Sequence, residues 1–172
     1  DKRNPRMNAG GPVYGVSAGH GSITMVDPIA NSATELTIPV RPDPETMPTR
    51  FPDVQVPSYY WGEEELWGVG ANERSDPHNP MLDQKGRVWM TSTVRQFQNP
   101  DWCRDGSDNI YAQYYPTGRT GRHASYYDPA RERFVLVDTC FGTHHLQFGE
   151  DADDTLWFSG DGNVIGWINT RV

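Results

Sequence analysis

From about His145 to Glu150, residues alternate in character, and Thr155 to Ser159 is rich in β-forming residues. Between them lies the polar run Asp151-Ala152-Asp153-Asp154. Alternation with a period of two marks a half-buried strand. Asp-rich runs suit turns because the carboxylate can bond nearby backbone groups. The stretch therefore predicts a hairpin. The same pattern stands earlier, where His78-Asn79-Pro80-Met81-Leu82 leads through Asp83-Gln84-Lys85-Gly86 into Val88-Trp89-Met90-Thr91-Ser92. In both hairpins an Asp precedes a Trp by six positions: Asp83 before Trp89, and Asp151 before Trp157. A fainter copy places Asn8 six positions before Tyr14. On this alignment Trp89 and Trp157 are expected at equivalent buried positions.

The match extends downstream. A third strand ending in Asp-Pro or Asn-Thr is expected over Ser22 to Asp27, His123 to Asp128, and Val164 to Asn169. A fourth follows in the first two copies, over Thr34 to Val40 and Arg133 to Asp138. A repeated meander of four short strands is the sequence signature of a β-propeller blade. The expected fold is thus all-β: a partial propeller of about three blades filling residues 1–172, with two long insertions at about 40–77 and 98–122. Three blades do not close a ring, so further blades or another chain would complete it. Residues 1–8 should supply an inner strand, although Asn4-Pro5-Arg6 suits one poorly. In the first insertion, Pro42, Pro44, Pro48, Pro52 and Pro57 argue against regular strands and helices, and Glu63 to Trp67 reads as one helical turn.

The pattern Asp-x-x-Gly-x-x-Trp-x-Thr, followed by an Ile or Val strand and an Asp, resembles propellers of the streptogramin-lyase (virginiamycin B lyase) type. The wording of His78-Asn-Pro-Met, Asp83-x-Lys-Gly-Arg-Val-Trp, Asp138-Thr-Cys-Phe-Gly-Thr-His-His-Leu-Gln-Phe and Gly166-Trp-Ile-Asn is most similar to that family's uncharacterised secreted bacterial relatives. The likeness spans about Tyr59 to Trp167 and implies the propeller fold. For the lyases it also implies proton removal from a cyclic ester by a His, with a divalent cation held by Glu residues. One such Glu follows the Trp-Phe-Thr of a second strand. Here Ser92 and Gly160 stand at those places, whereas His78 and His145 meet the requirement for a His starting a first strand.

Composition narrows the partners. Net charge is −8, which disfavours bare nucleic acid and anionic lipid, since both need clustered Lys and Arg. No apolar run approaches the roughly 20 residues of a membrane helix, so no membrane insertion is expected. Mean hydropathy is low at −0.72, yet 6 Trp and 12% aromatics argue for a folded chain. The two cysteines, Cys103 in the second insertion and Cys140 at a blade junction, are expected to form a disulfide; two free buried thiols are the alternative. A bridge would imply a periplasmic or extracellular setting.

His78 and His145 open the first strands of successive copies, and these strands would line the central channel. They are the candidate catalytic residues, His145 as general base and His78 as a second base or ligand. Strand parity favours His144, whereas adjacency to the strand favours His145. His78 lies five positions before Asp83 and His145 six before Asp151, so a bulge or register difference must absorb one residue. Tyr59, Trp61, Trp67 and His144 are the candidate ligand-binding residues, with Tyr- and Trp-rich insertions rimming the same opening. The leading functional expectation is a secreted or periplasmic propeller binding a small molecule or protein partner at its channel mouth and loops. A metal-assisted lyase or hydrolase and a structural subunit of a larger assembly are the alternatives. A divalent cation is the cofactor the lyase reading would bring; the residues alone do not name a metal ligand set.

Overall fold

The computed structural model describes residues 6–43, 46–47, 56–58, 62–67, 75–96, 98–114, 122–159 and 162–172; for 56–58, 62–67 and 114 it describes the backbone alone. The chain is all-β. Strands β1 (Val13–Ser17), β2 (Ser22–Asp27) and β3 (Ser32–Thr37) form one antiparallel meander. Strands β4 (Val56–Ser58) and β5 (Gly62–Trp67) pair with each other. A four-stranded meander follows from β6 (His78–Leu82), β7 (Val88–Ser92), β8 (His123–Asp128) and β9 (Arg133–Val137). The last sheet holds β10 (His145–Phe148), β11 (Leu156–Ser159) and β12 (Gly166–Ile168). Among the described residues there is no α-helix, only short 3-10 turns such as Asp101–Cys103.

Two expectations for the first insertion are overturned. Glu63 to Trp67 is strand, not a helical turn, and Pro57 sits within β4. The β4–β5 register shifts between Pro57 and Ser58. Proline lacks a donor and is tolerated where the ladder is short or irregular. The expected inner strand over 1–8 is also not found where it can be seen: residues 6–10 form turns, and 1–5 lie outside the described residues.

The four-stranded sheet is covered on both faces. Successive side chains of a strand point to opposite sides. Val88 and Met90 of β7 accordingly pack with Ile23, Ile38 and Tyr127 against the first sheet, with Tyr14 and Val16 beside them. Trp89 points the other way, into a cluster with Ala124 of β8 and with Leu146, Phe148, Leu156 and Phe158 of the last sheet. All five residues of β7 are buried as a result.

Trp157 departs from its expected burial, being 43% exposed where Trp89 is 3%. Its register nevertheless matches. Trp89 lies opposite Tyr126, and Trp157 opposite Trp167, each in the following strand. On β11 it is Leu156 and Phe158 that face the four-stranded sheet, just as Val88 and Met90 face the first. Trp157 therefore occupies the face that Trp89 turns toward its next neighbour. Among the described residues no further sheet covers that face.

The turns explain why the copies are alike. Asp83 Oδ1 accepts the backbone N–H groups of Lys85 and Arg87, at 2.8 and 2.9 Å. Asp151 Oδ1 accepts those of Asp153 and Thr155, at 3.1 and 3.0 Å, the same two offsets. Three positions after the capping residue the backbone enters the left-handed region, at Gly11, Gly86 and Asp154. There each N–H returns to the carbonyl of Asn8, Asp83 or Asp151. The third strands end alike as well: Asp27, Asp128 and Asn169 each accept an N–H two residues on.

Burial separates the equivalent carboxylates. Asp83 is 1% exposed and also takes the Trp89 indole N–H at 2.9 Å and the Arg87 guanidinium. Asp151 is exposed, and the Thr155 N–H holds its carboxyl below the usual carboxylate range. Turn also ties to turn. Gln84 N–H donates to Asp154, and Arg87 donates to the Thr170 carbonyl at 2.6 Å.

Cys103 and Cys140 are bonded, with Cα atoms 5.3 Å apart, as expected from the sequence. The bridge pins the segment around Asp101–Cys103 to the exit of β9. At the start of β8, His123 is fully buried, its Nδ1 3.0 Å from the Thr139 carbonyl oxygen and 3.2 Å from the Thr139 nitrogen. Burial, helped by the Arg95 charge, brings the His123 pKa down to about 3.

Three outcomes follow. Asp83→Ala strands buried donors and should cost about 3–5 kcal/mol in urea denaturation. Asp151→Ala, at the equivalent exposed turn, should cost far less, because water can take over its hydrogen bonds; equal losses would contradict the burial difference. Serine at both Cys103 and Cys140 removes a closure spanning 37 positions and should lower stability by about 4 kcal/mol, read as the denaturation midpoint and slope beside the oxidised protein. For His123, the folded pKa lies below the ordinary 6.5. The unfolded chain then binds the proton first, so this contribution is complete above pH 6.5 and is lost as pH falls toward 3. Relative to His123→Asn, the native chain should lose about 1.4 kcal/mol per pH unit inside that window; parallel curves would refute it.

Candidate functional site: a three-histidine cluster

The start of β6 and the start of β10 bring three imidazoles together. The rings of His78 and His144 stack with centroids 4.7 Å apart, and His78 meets His145 edge-on at 5.0 Å. The His144 and His145 centroids are 4.4 Å apart. One nitrogen from each ring lies within 4.8 Å of the other two. His78 and His144 are half-buried and His145 is exposed.

Register explains the convergence. His78 pairs with Thr91 and His145 with Ser159, each eight positions after its capping Asp. His78 and His145 are thus structural equivalents. Two features absorb the slip of one residue. The turn of the last sheet closes earlier, at Gly149 N–H to the Thr155 carbonyl, where the middle sheet closes at Asp83 to Arg87. That adds two residues. Against it, β6 carries a bulge between His78 and Met81, which adds one to the other side. His144, one position before the strand, joins the cluster from the loop side, so the choice between His144 and His145 does not arise.

The backbone beneath the rings is tied down. His144 N–H donates to the Ser159 carbonyl at 3.0 Å. Thr91 Oγ1 lies 2.8 Å from the His144 carbonyl oxygen and 3.3 Å from that of His78. Asn79, left-handed within the bulge, accepts the Leu146 N–H at 2.8 Å. These side chains bridge two sheets. Sequence reading did not single out Asn79 or Thr91. The signal was present in the Trp-x-Thr of the second strand and the Asn that follows His78.

Desolvation lowers the His78 pKa, and the charges of His144, Arg122 and His145 act in the same direction; Asp76 opposes them. Arg122 is ion-paired with Asp76 at 2.6 Å, and its main chain bridges to Thr143, next to the cluster. Among the described residues the geometric donor set contains imidazoles only. Asp83 and Asp151 hold turns, as their sequence positions suggested. His20 bonds Glu35 at 3.0 Å on another sheet, away from the cluster.

Tyr59 and Trp61 lie outside the described residues, and so does the side chain of Trp67. The aromatic group that is described lies elsewhere. Tyr111, Phe141, Ile165 and Trp167 line a cleft of about 630 Å³ whose walls, among the described residues, include no histidine. Its floor needs Gly166, because a Cβ there would fall 1.9 Å from the Phe141 ring. Tyr111 of the second insertion therefore borders this cleft, where it was expected beside the imidazoles.

Among the described residues no helix is long and apolar enough to cross a membrane. Compared with known proteins, the chain matches no family model, no curated protein and no solved structure.

Proposed function

We propose that this chain is part of a secreted or periplasmic β-propeller that binds a small ligand or partner at the mouth where β6 and β10 begin. The observation that carries the reading is the convergence of His78, His144 and His145 from equivalent strand starts on neighbouring sheets. A repeat places equivalent residues side by side, and polar groups gathered there form the usual contacts of a ligand site. The repeated turns and the stacked meanders support the propeller reading. The Trp157 and Trp167 face supports further sheets of the same kind, from this protein or another chain, because its equivalent around Trp89 is covered by one. The Cys103–Cys140 bond supports an oxidising compartment.

One observation favours a catalytic second reading. A half-buried imidazole whose pKa is lowered stays neutral near pH 7 and can accept a proton. On that reading the chain is a lyase or hydrolase acting on an ester or sugar-like substrate, with His78, the imidazole so lowered, as a base beside His145.

The test is to follow the histidine ring signals by NMR while titrating a panel of cyclic esters and oligosaccharides. A binder should shift His78, His144 and His145 together. Binders that move only Tyr111 and Trp167 would move the site to the aromatic cleft and overturn the reading. Product formed by the native chain and lost in His145→Ala would decide for the catalytic form.

A further inference from the structure

We propose that His78, His144 and His145 are a binding site for one divalent first-row transition ion, with zinc as the reference ion. The inference deepens the mouth-binding reading and rests on it for the location of the site. Three of the five histidines in the chain meet here, drawn from two sheets and separated by more than sixty positions. Packing alone does not require one nitrogen of each ring to converge, and here all three do, within 4.8 Å. Zinc–imidazole bonds of about 2.0–2.1 Å place two nitrogens about 3.4 Å apart in a tetrahedron. The three nitrogens must therefore close by about 1.4 Å at most, a distance within reach of side-chain rotation, for which His145, the exposed member, has the most room.

The donors select the ion. Imidazole suits zinc, copper, nickel and cobalt, whereas magnesium and calcium seek oxygen ligands. Among the described residues the set contains no carboxylate, and Asp76, the acid whose charge reaches His78, is ion-paired with Arg122. The scaffold is fixed before any ion arrives, since Thr91 and Asn79 link the two strand starts. Three protein ligands leave a fourth position, and the exposed side of His145 opens it to water or an incoming anion. That is the arrangement of a zinc site with an open position rather than of a closed structural one.

The experiment uses the oxidised chain, produced without a histidine tag and stripped of metal. Zinc is titrated by calorimetry, and cobalt by visible absorption. One ion per chain is expected, with a Kd of about 1 μM or tighter and the visible bands of four-coordinate cobalt. His78→Ala, His144→Ala and His145→Ala should each weaken zinc binding at least about tenfold, while His20→Ala leaves it unchanged. Magnesium and calcium should not compete. His145→Ala changes an exposed ring, so it keeps the test decisive should His78→Ala fail to fold. Absence of saturable zinc binding below about 100 μM, or an equal loss in His20→Ala, would overturn the proposal. No organic ligand is present in this titration. Failure here with intact ring shifts in the panel titration would remove the metal and leave the mouth-binding reading standing; the reverse pair of results would remove that reading and keep the metal.

Discussion

Strand β7 is covered on both faces, and the rest of the structure depends on that constraint. A strand with one wet face can slip by a residue only by exchanging its buried and solvent sides. Where both sides are buried, a slip must also exchange two different clusters. Val88 and Met90 fit the aliphatic packing around Ile23 and Ile38, while Trp89 fits between Leu146, Phe148 and Phe158. The Trp89 indole N–H can be buried because the Asp83 carboxylate receives it. The same carboxylate closes the turn into β7 and holds Arg87, whose guanidinium reaches across to the last sheet. One buried charge thus sets a turn, a register and a contact between sheets.

The repeat was legible because it is written in turn chemistry rather than in hydrophobicity. Asp83 and Asp151 make the same backbone bonds despite opposite degrees of burial, so spacing alone identified them. Burial itself was not legible. Trp89 and Trp157 both lie between two apolar residues and share the same register, yet only one is covered, and what covers it is a sheet formed more than fifty residues away. Helix against strand failed over Glu63 to Trp67 for a related reason. Three successive glutamates carry no period, and pairing with β4, which no local pattern announces, makes the segment a strand.

The site was legible as two strand starts and no further. The sequence named His78 and His145 as equivalents, but it could not say that His144 would also turn toward them. Counting residues from the capping Asp suggested a conflict. Two compensating irregularities, a longer turn in one sheet and a bulge in the other, remove it. Of the aromatics in the two insertions, Tyr111 stands at another cleft because the Cys103–Cys140 bond fixes the second insertion to the exit of β9. From there Tyr111 reaches Phe141 and Trp167.

The bulge in β6 does more than correct a count. Pro80 has no N–H to give to a ladder, so a regular strand through it would leave the carbonyl opposite without its donor. The bulge puts Asn79 and Pro80 together opposite a single residue, and Asn79 takes the left-handed conformation that Asn tolerates. Its side-chain oxygen then accepts the N–H of Leu146, the residue following His145. The irregularity that re-aims His78 is therefore the same one that fastens β6 to β10. Bulges gather where a strand must redirect a side chain, and here the redirected side chain is an imidazole facing two others. Three rings that carry like charge when protonated are costly to crowd together, and desolvation of His78 adds to that cost. The scaffold holds them together nonetheless, through Thr91 and Asn79. When neutral, the three rings offer lone pairs instead of like charges, and that is the donor set which the proposed divalent ion takes.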